Sequence, residues 1–415
     1  MSEETKMNIE VYDEYIKSVD WLKETGLPVA ITLTEVLEPS EGRDAIIFPP
    51  TFAVKNTPHP YQIDVLRSDI PPQAAKLGEE ANHCLIDSVG SQANRMEPYF
   101  KQAPLSALVP QIDVHLKAKV DNEEQVIRVN LLDIGHRIAD GAVRFSGLRD
   151  EVTAAIKAMM NSADAKLLAK LAPTSLVFGF WDSRPETTMF KYGRLLSSTI
   201  RATNVAVVKR SAQFNPAFDP SLIGLADEVP ISAEQPQDSE SNSGKAADGK
   251  DPLSKLGLRA APSVNTHGGV RVYGQIVRRT QINLVNLRAL AVTKKTETGD
   301  GFAIDEKETL KLRRYILGLA LVAARCQPNY SLREGCLLVR SGDERSNFVY
   351  TDGKRNPFDW NLQAAFGYAT AAAGDFVVGD GKTGEKAVNF EAKKTKEEVD
   401  KLKKEGKKKP DKAGK

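Results

Sequence analysis

Two stretches of the chain carry many cationic side chains and no carboxylate. One runs from 187 to 218 and the other from 252 to 296, in a chain whose formal net charge is only +2. Clustered cations without nearby acids attract a polyanion and release its counterions, which is the sequence-independent part of nucleic-acid affinity. A solvated cationic surface without a ligand is the alternative. The basic residues are Lys191, Arg194, Arg201, Lys209 and Arg210 in the first stretch, and Lys255, Arg259, Arg271, Arg278, Arg279, Arg288, Lys294 and Lys295 in the second.

Alternating apolar and polar residues over 270–285 predict one long strand with a polar face. That face would present an aromatic ring, guanidinium groups and amides, which can stack on bases and contact phosphates. A strand whose polar face is covered by a loop is the alternative. The side chains of the predicted face are Arg271, Tyr273, Gln275, Arg279, Gln281 and Asn283.

Two glycine-containing segments could add contacts. His267, Gly268 and Gly269 come just before the predicted strand, and glycines let an anion approach the backbone closely. A simple glycine turn into the strand explains the same residues. Residues 179–184 place Trp181, Ser183 and Arg184 at the end of an apolar segment, where they would form a stacking platform or a buried aromatic core.

Signals for catalysis are poor. Residues 381–383 resemble the end of a phosphate-binding loop, but the glycine that should begin the loop is replaced by Phe376. His136 lies between Asp133 and Asp140, yet no second histidine stands at a metal-ligand spacing. The three cysteines include no close pair. We therefore expect no catalytic site, no metal and no cofactor.

The composition is that of an ordinary globular protein, with 41% hydrophobic and 27% charged residues among 415. No apolar run approaches the roughly 20 residues of a membrane span, and the first residues do not resemble a secretory signal. These features predict a cytoplasmic protein. From Lys382 onward, 13 lysines stand against 7 acids, so the rest of the chain is slightly acidic and only the distribution of charge points to nucleic acid.

The elements that would position these residues follow from hydrophobic periodicity and from glycine and proline positions. Their order, β-α-β-β-α-β, predicts an α+β protein with a modified ferredoxin-like or RNA-recognition fold and long insertions. The predicted core elements are strand 29–37, helix 77–96, strand 175–181, strand 270–285, helix 306–325 and strand 335–340. The predicted insertions contain a proline-rich excursion at 46–60, a hairpin at 112–131 and a helix at 151–172.

The same patterns predict the domain organisation. A single domain over 28–345 follows an N-terminal helical extension, 1–27, and precedes a C-terminal extension, 346–415, that ends in a Lys-rich tail from 382. The insertions of this domain are predicted at about 40–65, 100–172 and 205–265, with a flexible loop at 226–256.

Several longer motifs, in one order across about residues 28–340, carry a family resemblance. They are 47–52 (IFPPTF), 86–97 (IDSVGSQANRME), 136–140 (HRIAD) and 176–183 (LVFGFWDS). The chain resembles the CRISPR-associated backbone subunit (Cas family seven) of the type I-G, formerly I-U, interference complex, a member of the RAMP superfamily. One motif departs from the family pattern: residues 262–268 read PSVNTHG, without the expected glutamate and with the asparagine shifted.

The resemblance implies a RAMP-type RNA-recognition fold whose copies stack along a CRISPR RNA and hold its spacer open for pairing with target DNA. It also implies a projecting thumb hairpin and a loop that reaches the next subunit. Because any guide must fit, contacts should go to phosphate and 2′-hydroxyl groups. The candidate RNA-binding residues are Gln92, Asn94, Arg95, His136, Arg137, Trp181, Ser183, Arg184, Arg194, Arg201, Lys209, Arg210, His267, Gly268, Arg271, Tyr273, Arg278, Arg279 and Asn283.

The main hypothesis is therefore a non-catalytic subunit of a Cascade-like complex that binds guide RNA and oligomerises along it. Its expected partners are the guide CRISPR RNA, target DNA through the guide, copies of itself and other subunits of the complex, without a membrane. A RAMP endoribonuclease that processes precursor RNA with His136 or His267 is the competing hypothesis. A scaffold that binds only proteins is a third.

Overall fold

The computed structural model describes residues 9–18, 26–52, 59–76, 78–120, 123–183, 189–214, 261–326, 330–376 and 385–406. The structure is 37% helix and 36% strand, as expected for the predicted α+β class. The strands form a curled antiparallel half-barrel with helices packed on one side.

The bounds of the secondary-structure elements are as follows. The strands are β1 Pro28–Pro39, β2 Ile46–Ile47, β3 Ile63–Val65, β4 Asn82–Asp87, β5 Gln111–Val120, β6 Glu123–Asn130, β7 Phe180–Trp181, β8 Lys191–Tyr192, β9 Leu196–Thr203, β10 Val205–Phe214, β11 Ala261–Val272, β12 Ile276–Asn283, β13 Thr293–Lys295, β14 Phe302–Ile304, β15 Tyr330–Arg333, β16 Cys336–Tyr350, β17 Arg355–Pro357 and β18 Glu385–Asn389. The helices are α1 Asp13–Ile16, α2 Val89–Met96, α3 Gly141–Arg144, α4 Arg149–Ser162, α5 Lys166–Leu171, α6 Pro173–Phe178, α7 Leu284–Arg288, α8 Glu306–Arg325, α9 Leu362–Phe376 and α10 Ala392–Gly406.

The central sheet has the strand order β15-β16-β1-β12-β9-β4-β3, with β17 added to β16, and all of its pairings are antiparallel. Its core follows the path β1, α2, β9, β12, α8, β16 along the chain. Across the sheet these four strands lie in the order β16, β1, β12 and β9, which are the fourth, first, third and second core strands along the chain. This arrangement is the predicted β-α-β-β-α-β plan. The second core strand is β9, however, and not the predicted 175–181.

Alternation in the sequence explains the strands whose prediction is confirmed. In β1, Ile31 and Leu33 are buried in the core, while Thr32 and Thr34 on the opposite face are only half-buried. Helix α8 begins after Asp305, whose side chain accepts a hydrogen bond from the backbone of Glu308. Its middle turns are buried on all sides because α8 lies between the sheet and α9.

Two predicted helices and one predicted strand need correction. The predicted helix 77–96 is helical only in α2, because 82–87 alternates buried and half-buried residues as strand β4, and Ser88 then caps α2. The predicted strand 175–181 is mostly helix α6, with only β7 extended. The predicted helix 151–172 is interrupted at Ala163, which has a left-handed backbone (φ 54°) and ends α4.

The predicted long strand 270–285 is wrong in a way that matters for function. The chain turns at Tyr273, whose N–H donates to the carbonyl of Asn204, so β11 and β12 belong to different sheets. Helix α7 begins at Leu284. Arg271 and Tyr273 therefore do not share a sheet face with Arg279.

Strands β10 and β11 form an antiparallel pair, here called the arm, that leaves the central sheet and pairs with β2. Two buried asparagines, Asn82 and Asn204, hold the chain where the arm leaves the central sheet. Asn82 accepts from and donates to the backbone of Val205, and Asn204 bonds Ala81 N and Glu79 O while its backbone is left-handed (φ 53°). Asparagine tolerates this backbone better than most residues.

The hairpin predicted at 112–131 is confirmed as β5 and β6, and β18 pairs in parallel with β5. Part of the Lys-rich tail is therefore ordered as β18 and α10. The domain organisation stays a prediction. Its proposed boundary at 345 falls inside β16, and the loop predicted at 226–256 lies outside the described residues.

Candidate nucleic-acid interface

The face of the central sheet turned away from α2 and α8, here called the open face, is polar. Residues paired across antiparallel strands share a face, so the register defines its rows. One row runs Arg345, Thr34, Arg279 and Thr199 across β16, β1, β12 and β9. The next row runs Asn347, Thr32, Gln281 and Ser197 across the same strands.

Four arginines mark this surface. Arg279 and Arg345 lie in one row. Arg201 lies on β9 two residues after Thr199, so it shares the face of that row. Arg355 of β17 pairs with Val349, which lies two residues after Asn347 on β16 and so shares the same face. Arg279, Arg345 and Arg355 are exposed, and no carboxylate of the described residues lies within 4.0 Å of their guanidinium groups. Arg201 contacts Asp64 at 3.5 Å, but both side chains are more than a third exposed, which makes the pair weak.

The chemistry of the open face suits a sugar–phosphate backbone. Guanidinium groups bind phosphate oxygens in a bidentate manner, and the hydroxyl and amide groups between them can donate to or accept from a 2′-hydroxyl. The two rows contain no aromatic ring and no carboxylate. Such a surface can hold a strand without reading its bases.

A buried ion pair lies directly behind the open face. Arg278 of β12 is fully buried, and its Nη1 lies 2.6 Å from Oε2 of Glu35 on β1. Its Nε also donates to Gln92 Oε1 and Ser198 Oγ, each at 3.1 Å, and its Nη1 donates to the carbonyl of Ala324 at 3.0 Å. One guanidinium group thus connects β12 to β1, β9, α2 and α8, and it fixes the strand that carries Arg279.

Glu35 is the acceptor that compensates this buried charge. Arg340 Nε lies 2.7 Å from its Oε1, and the Tyr330 hydroxyl donates to the same oxygen at 3.0 Å. Burial alone raises the pKa of Glu35, but the charges of Arg278 and Arg340 and the hydrogen bonds from Arg278 and Tyr330 outweigh burial and hold the pKa below its ordinary value.

A second buried pair supports the segment that leads into β7. Arg137 has a left-handed backbone (φ 55°), and its Nε lies 2.7 Å from Oε2 of Glu97. Its Nη1 donates to the carbonyls of Gly135 and Gly179. Burial raises the pKa of Glu97 to about 7, against the opposing charge of Arg137.

Several predicted contact residues are wrong, because the structure places them in the interior. Gln92 and Arg278 are 0% exposed and Arg137 is 4% exposed, with protein partners for their polar groups. Gly268 is buried in the arm: a Cβ there would lie 2.5 Å from Cγ of Arg210, so this glycine allows close strand packing and leaves no room for an anion. These residues support the fold.

Other predicted residues contact groups of the protein itself or lie outside the described residues. Arg95 contacts Asp87 at 3.1 Å and donates to the carbonyl of Leu332. Asn283 caps α7 by accepting from Asn286 N. Arg184 and the side chain of His267 lie outside the described residues.

The remaining candidates fall into three places. Arg201 and Arg279 lie on the open face. Lys209, Arg210, Arg271 and Tyr273 lie along the arm, where the Arg271 guanidinium is 5.5 Å from the centre of the Tyr273 ring. Asn94, His136, Trp181, Ser183 and Arg194 lie around the short ribbon β7–β8 and the loop beside it.

Sequence reasoning missed Arg345 and Arg355. The predicted last strand ended at 340, just before Gly342 and Asp343. In the structure a bulge near these residues lets β16 continue to Tyr350. The alternation of Arg345, Asn347 and Val349 with Ser346 and Phe348 was the signal that could have revealed them.

The described residues contain no group of three or more His, Cys, Asp or Glu side chains arranged to hold a metal ion. Among the helices of the described part, none has the length and apolar character to cross a membrane.

Comparison with known proteins gives one family. No curated protein matches the chain. Residues 31–207 match the family described as CRISPR-associated protein GSU0053, a segment that runs from β1 into β10 and includes α2, β7, β8 and β9. This match supports a CRISPR-associated protein with a role in CRISPR defence.

Proposed function

We propose that the protein is a non-catalytic backbone subunit that binds guide RNA along the open face in an interference complex of type I-G. The observation that carries the proposal is the group of four arginines, half-buried Arg201 and exposed Arg279, Arg345 and Arg355, on a sheet face whose two central rows contain no carboxylate. The match of residues 31–207 to a CRISPR-associated family supports a role in CRISPR defence. The finer assignment to a backbone subunit is supported by the resemblance of the motifs to RAMP-superfamily members.

The guide must be bound irrespective of its sequence. Sequence specificity in guided complexes comes from base pairing, so the protein needs only to recognise backbone geometry. The arginine, hydroxyl and amide groups of the open face meet this need, and a guide held by its phosphates keeps its bases available for target DNA.

A backbone subunit also has to contact further copies of itself and other subunits. Two elements outside the central sheet are the candidates for these contacts: the arm and the hairpin β5–β6. The far part of the hairpin is exposed on both faces, with Val126 54% and Ile127 43% exposed on opposite sides. Exposed apolar side chains on a projecting hairpin are suited to a protein or nucleic-acid partner.

Filter binding tests the proposal. Purified protein is titrated against guide RNA and length-matched scrambled RNA from 50 to about 300 mM salt, where affinity that depends on phosphate contacts falls steeply. We expect equal affinity for the two RNAs and a strong salt dependence. Absence of binding at low salt contradicts the proposal.

The same samples separate this function from an endoribonuclease. RNA containing the repeat is incubated with the protein and analysed on a denaturing gel. We expect RNA of unchanged length. Defined products that disappear in a His136→Ala variant would establish the enzyme instead.

A further inference from the structure

The ribbon β7–β8 presents a tryptophan to solvent. Trp181 is 60% exposed, although its neighbour Phe180 is only 6% exposed. Successive side chains of a strand point to opposite sides, so the ribbon has a buried side and an outer side. The outer side carries Trp181 and its cross-strand partner Lys191.

The buried side anchors the ribbon. The ring of Phe180 lies 6.0 Å from that of Tyr192 and 5.9 Å from that of Phe190, and Phe180 belongs to the main core. The ring of Phe180 therefore packs the ribbon against the core. The ring of Trp181, on the outer side, is not needed for this packing. An exposed indole on an anchored ribbon is available to a ligand.

Gly179 lies just before the ribbon, and its lack of a side chain lets Arg194 pack against it. Its backbone has φ 75°, and a Cβ there would lie 2.9 Å from the carbonyl of Tyr192 and 3.0 Å from Cγ of Arg194. Its carbonyl accepts a hydrogen bond from buried Arg137. The aliphatic part of Arg194 therefore packs on the glycine two residues before Trp181.

Two cationic side chains of the ribbon segment have no carboxylate partner among the described residues. Lys191 and Arg194 are both exposed, and neither contacts a carboxylate of the described residues within 4.0 Å. The carboxylate nearest in sequence, Asp182, belongs to a residue that is 1% exposed. The outer side of the ribbon thus carries Trp181 beside the positive charge of Lys191, and exposed Arg194 packs against Gly179 at the start of the ribbon.

The ribbon is continuous with the open face. Leu195 donates from its N–H to the carbonyl of Val177 and accepts from the N–H of Asn283 at the end of β12. Strand β9 then begins at Leu196, and Ser197 lies in a row of the open face. The ribbon is therefore joined through the backbone to the end of the open face that carries Ser197.

We propose that Trp181 stacks on an unpaired nucleobase of the bound strand, with Lys191 and Arg194 on the flanking phosphates. Aromatic stacking between cations is how single strands are held without sequence preference. This inference rests on the proposed function and adds to it: the open face binds the backbone, and the ribbon holds one base at its end.

Affinity measurements on Trp181→Ala and Trp181→Phe test this inference, with Phe302→Ala as a matched control. Phe302 is 54% exposed on the separate β13–β14 hairpin. We expect Trp181→Ala to bind single-stranded RNA about tenfold to a hundredfold more weakly, which is the usual effect of removing one base–aromatic stack. The slope of log affinity against log salt should stay unchanged, because no phosphate contact is removed. Trp181→Phe and Phe302→Ala should bind nearly as the wild type does.

Two further readouts make the test specific to stacking. Duplex RNA hides its base faces, so Trp181→Ala should bind it as the wild type does. Tryptophan emission should be quenched by single-stranded RNA in the wild type, and this quenching should be smaller in Trp181→Phe.

The outcomes separate this inference from the proposed function. If the wild type binds RNA but Trp181→Ala binds equally well, or loses as much affinity for duplex, the stacking inference is overturned and the proposed function stands. If the wild type binds no RNA, both are overturned.

Discussion

Replacing Arg279, Arg345 and Arg355 with glutamate is expected to abolish binding of guide RNA at physiological salt. Each phosphate neutralised on a single strand contributes about 0.7 to the slope of log affinity against log salt, so the loss of three contacts should reduce that slope by about 2. The introduced carboxylates would also repel the strand. The triple variant should fold normally, because all three side chains are exposed and have no ion-pair partner in the described part of the chain. The measurement is the same filter-binding titration.

The control for this variant has an equal change in net charge at another place. Lys294 and Lys295 lie on the β13–β14 hairpin, and Lys307 lies in the first turn of α8. All three are exposed and outside the central sheet. Their replacement with glutamate should weaken RNA binding only slightly. Equal losses in the two triple variants would mean that general charge, and not the open face, attracts the RNA.

Replacing Glu35 with alanine is expected to destabilise the fold by about 3–5 kcal/mol, because the positive charge of Arg278 would remain buried without its carboxylate. Both side chains of this pair are at most 1% exposed. Glu38→Ala on the same strand is the matched control, since Glu38 contacts Arg43, which is 78% exposed, and such a pair contributes about 0–1 kcal/mol. Urea denaturation compares the two variants. Similar free energies of unfolding would contradict the role of Glu35.

A double variant and the pH dependence refine this prediction. Glu35→Leu combined with Arg278→Met removes both charges, so it should be more stable than Glu35→Ala. The pKa of Glu35 is lowered in the folded protein, so the stability it contributes is present above its unfolded pKa and is lost as pH falls through its folded pKa. The difference between wild type and Glu35→Ala should therefore shrink below about pH 4.

The parts of the fold that the sequence predicts well are those set by local periodicity. Strand β1, the hairpin β5–β6 and helix α8 have clear periods of two or 3.6 residues, and their order led to the correct core plan. The break between β11 and β12 was not predictable in this way. It depends on the hydrogen bond from Tyr273 to Asn204, a residue that lies far away in sequence.

The candidate site was predicted only in part for a related reason. Both Arg278 and Arg279 were predicted to contact RNA. Adjacent residues of a strand point to opposite faces, and Arg278 finds its partner Glu35 across the sheet. Arg345 joins the same face as Arg279 only through the pairing of β16 with β1. Charge clustering along the sequence therefore located the strands of the site, while the register decided which arginines belong to it.

Photo-crosslinking is the most direct test of the claim that the open face binds the guide. Guide RNA substituted with 4-thiouridine is bound to the full-length protein, irradiated and digested, and the crosslinked peptides are identified by mass spectrometry. The crosslinks are expected in peptides from β9, β12 and β16 and in the ribbon around Trp181. Crosslinks concentrated on α8, α9 or α4, on the opposite side of the sheet, with none on these strands, would contradict it.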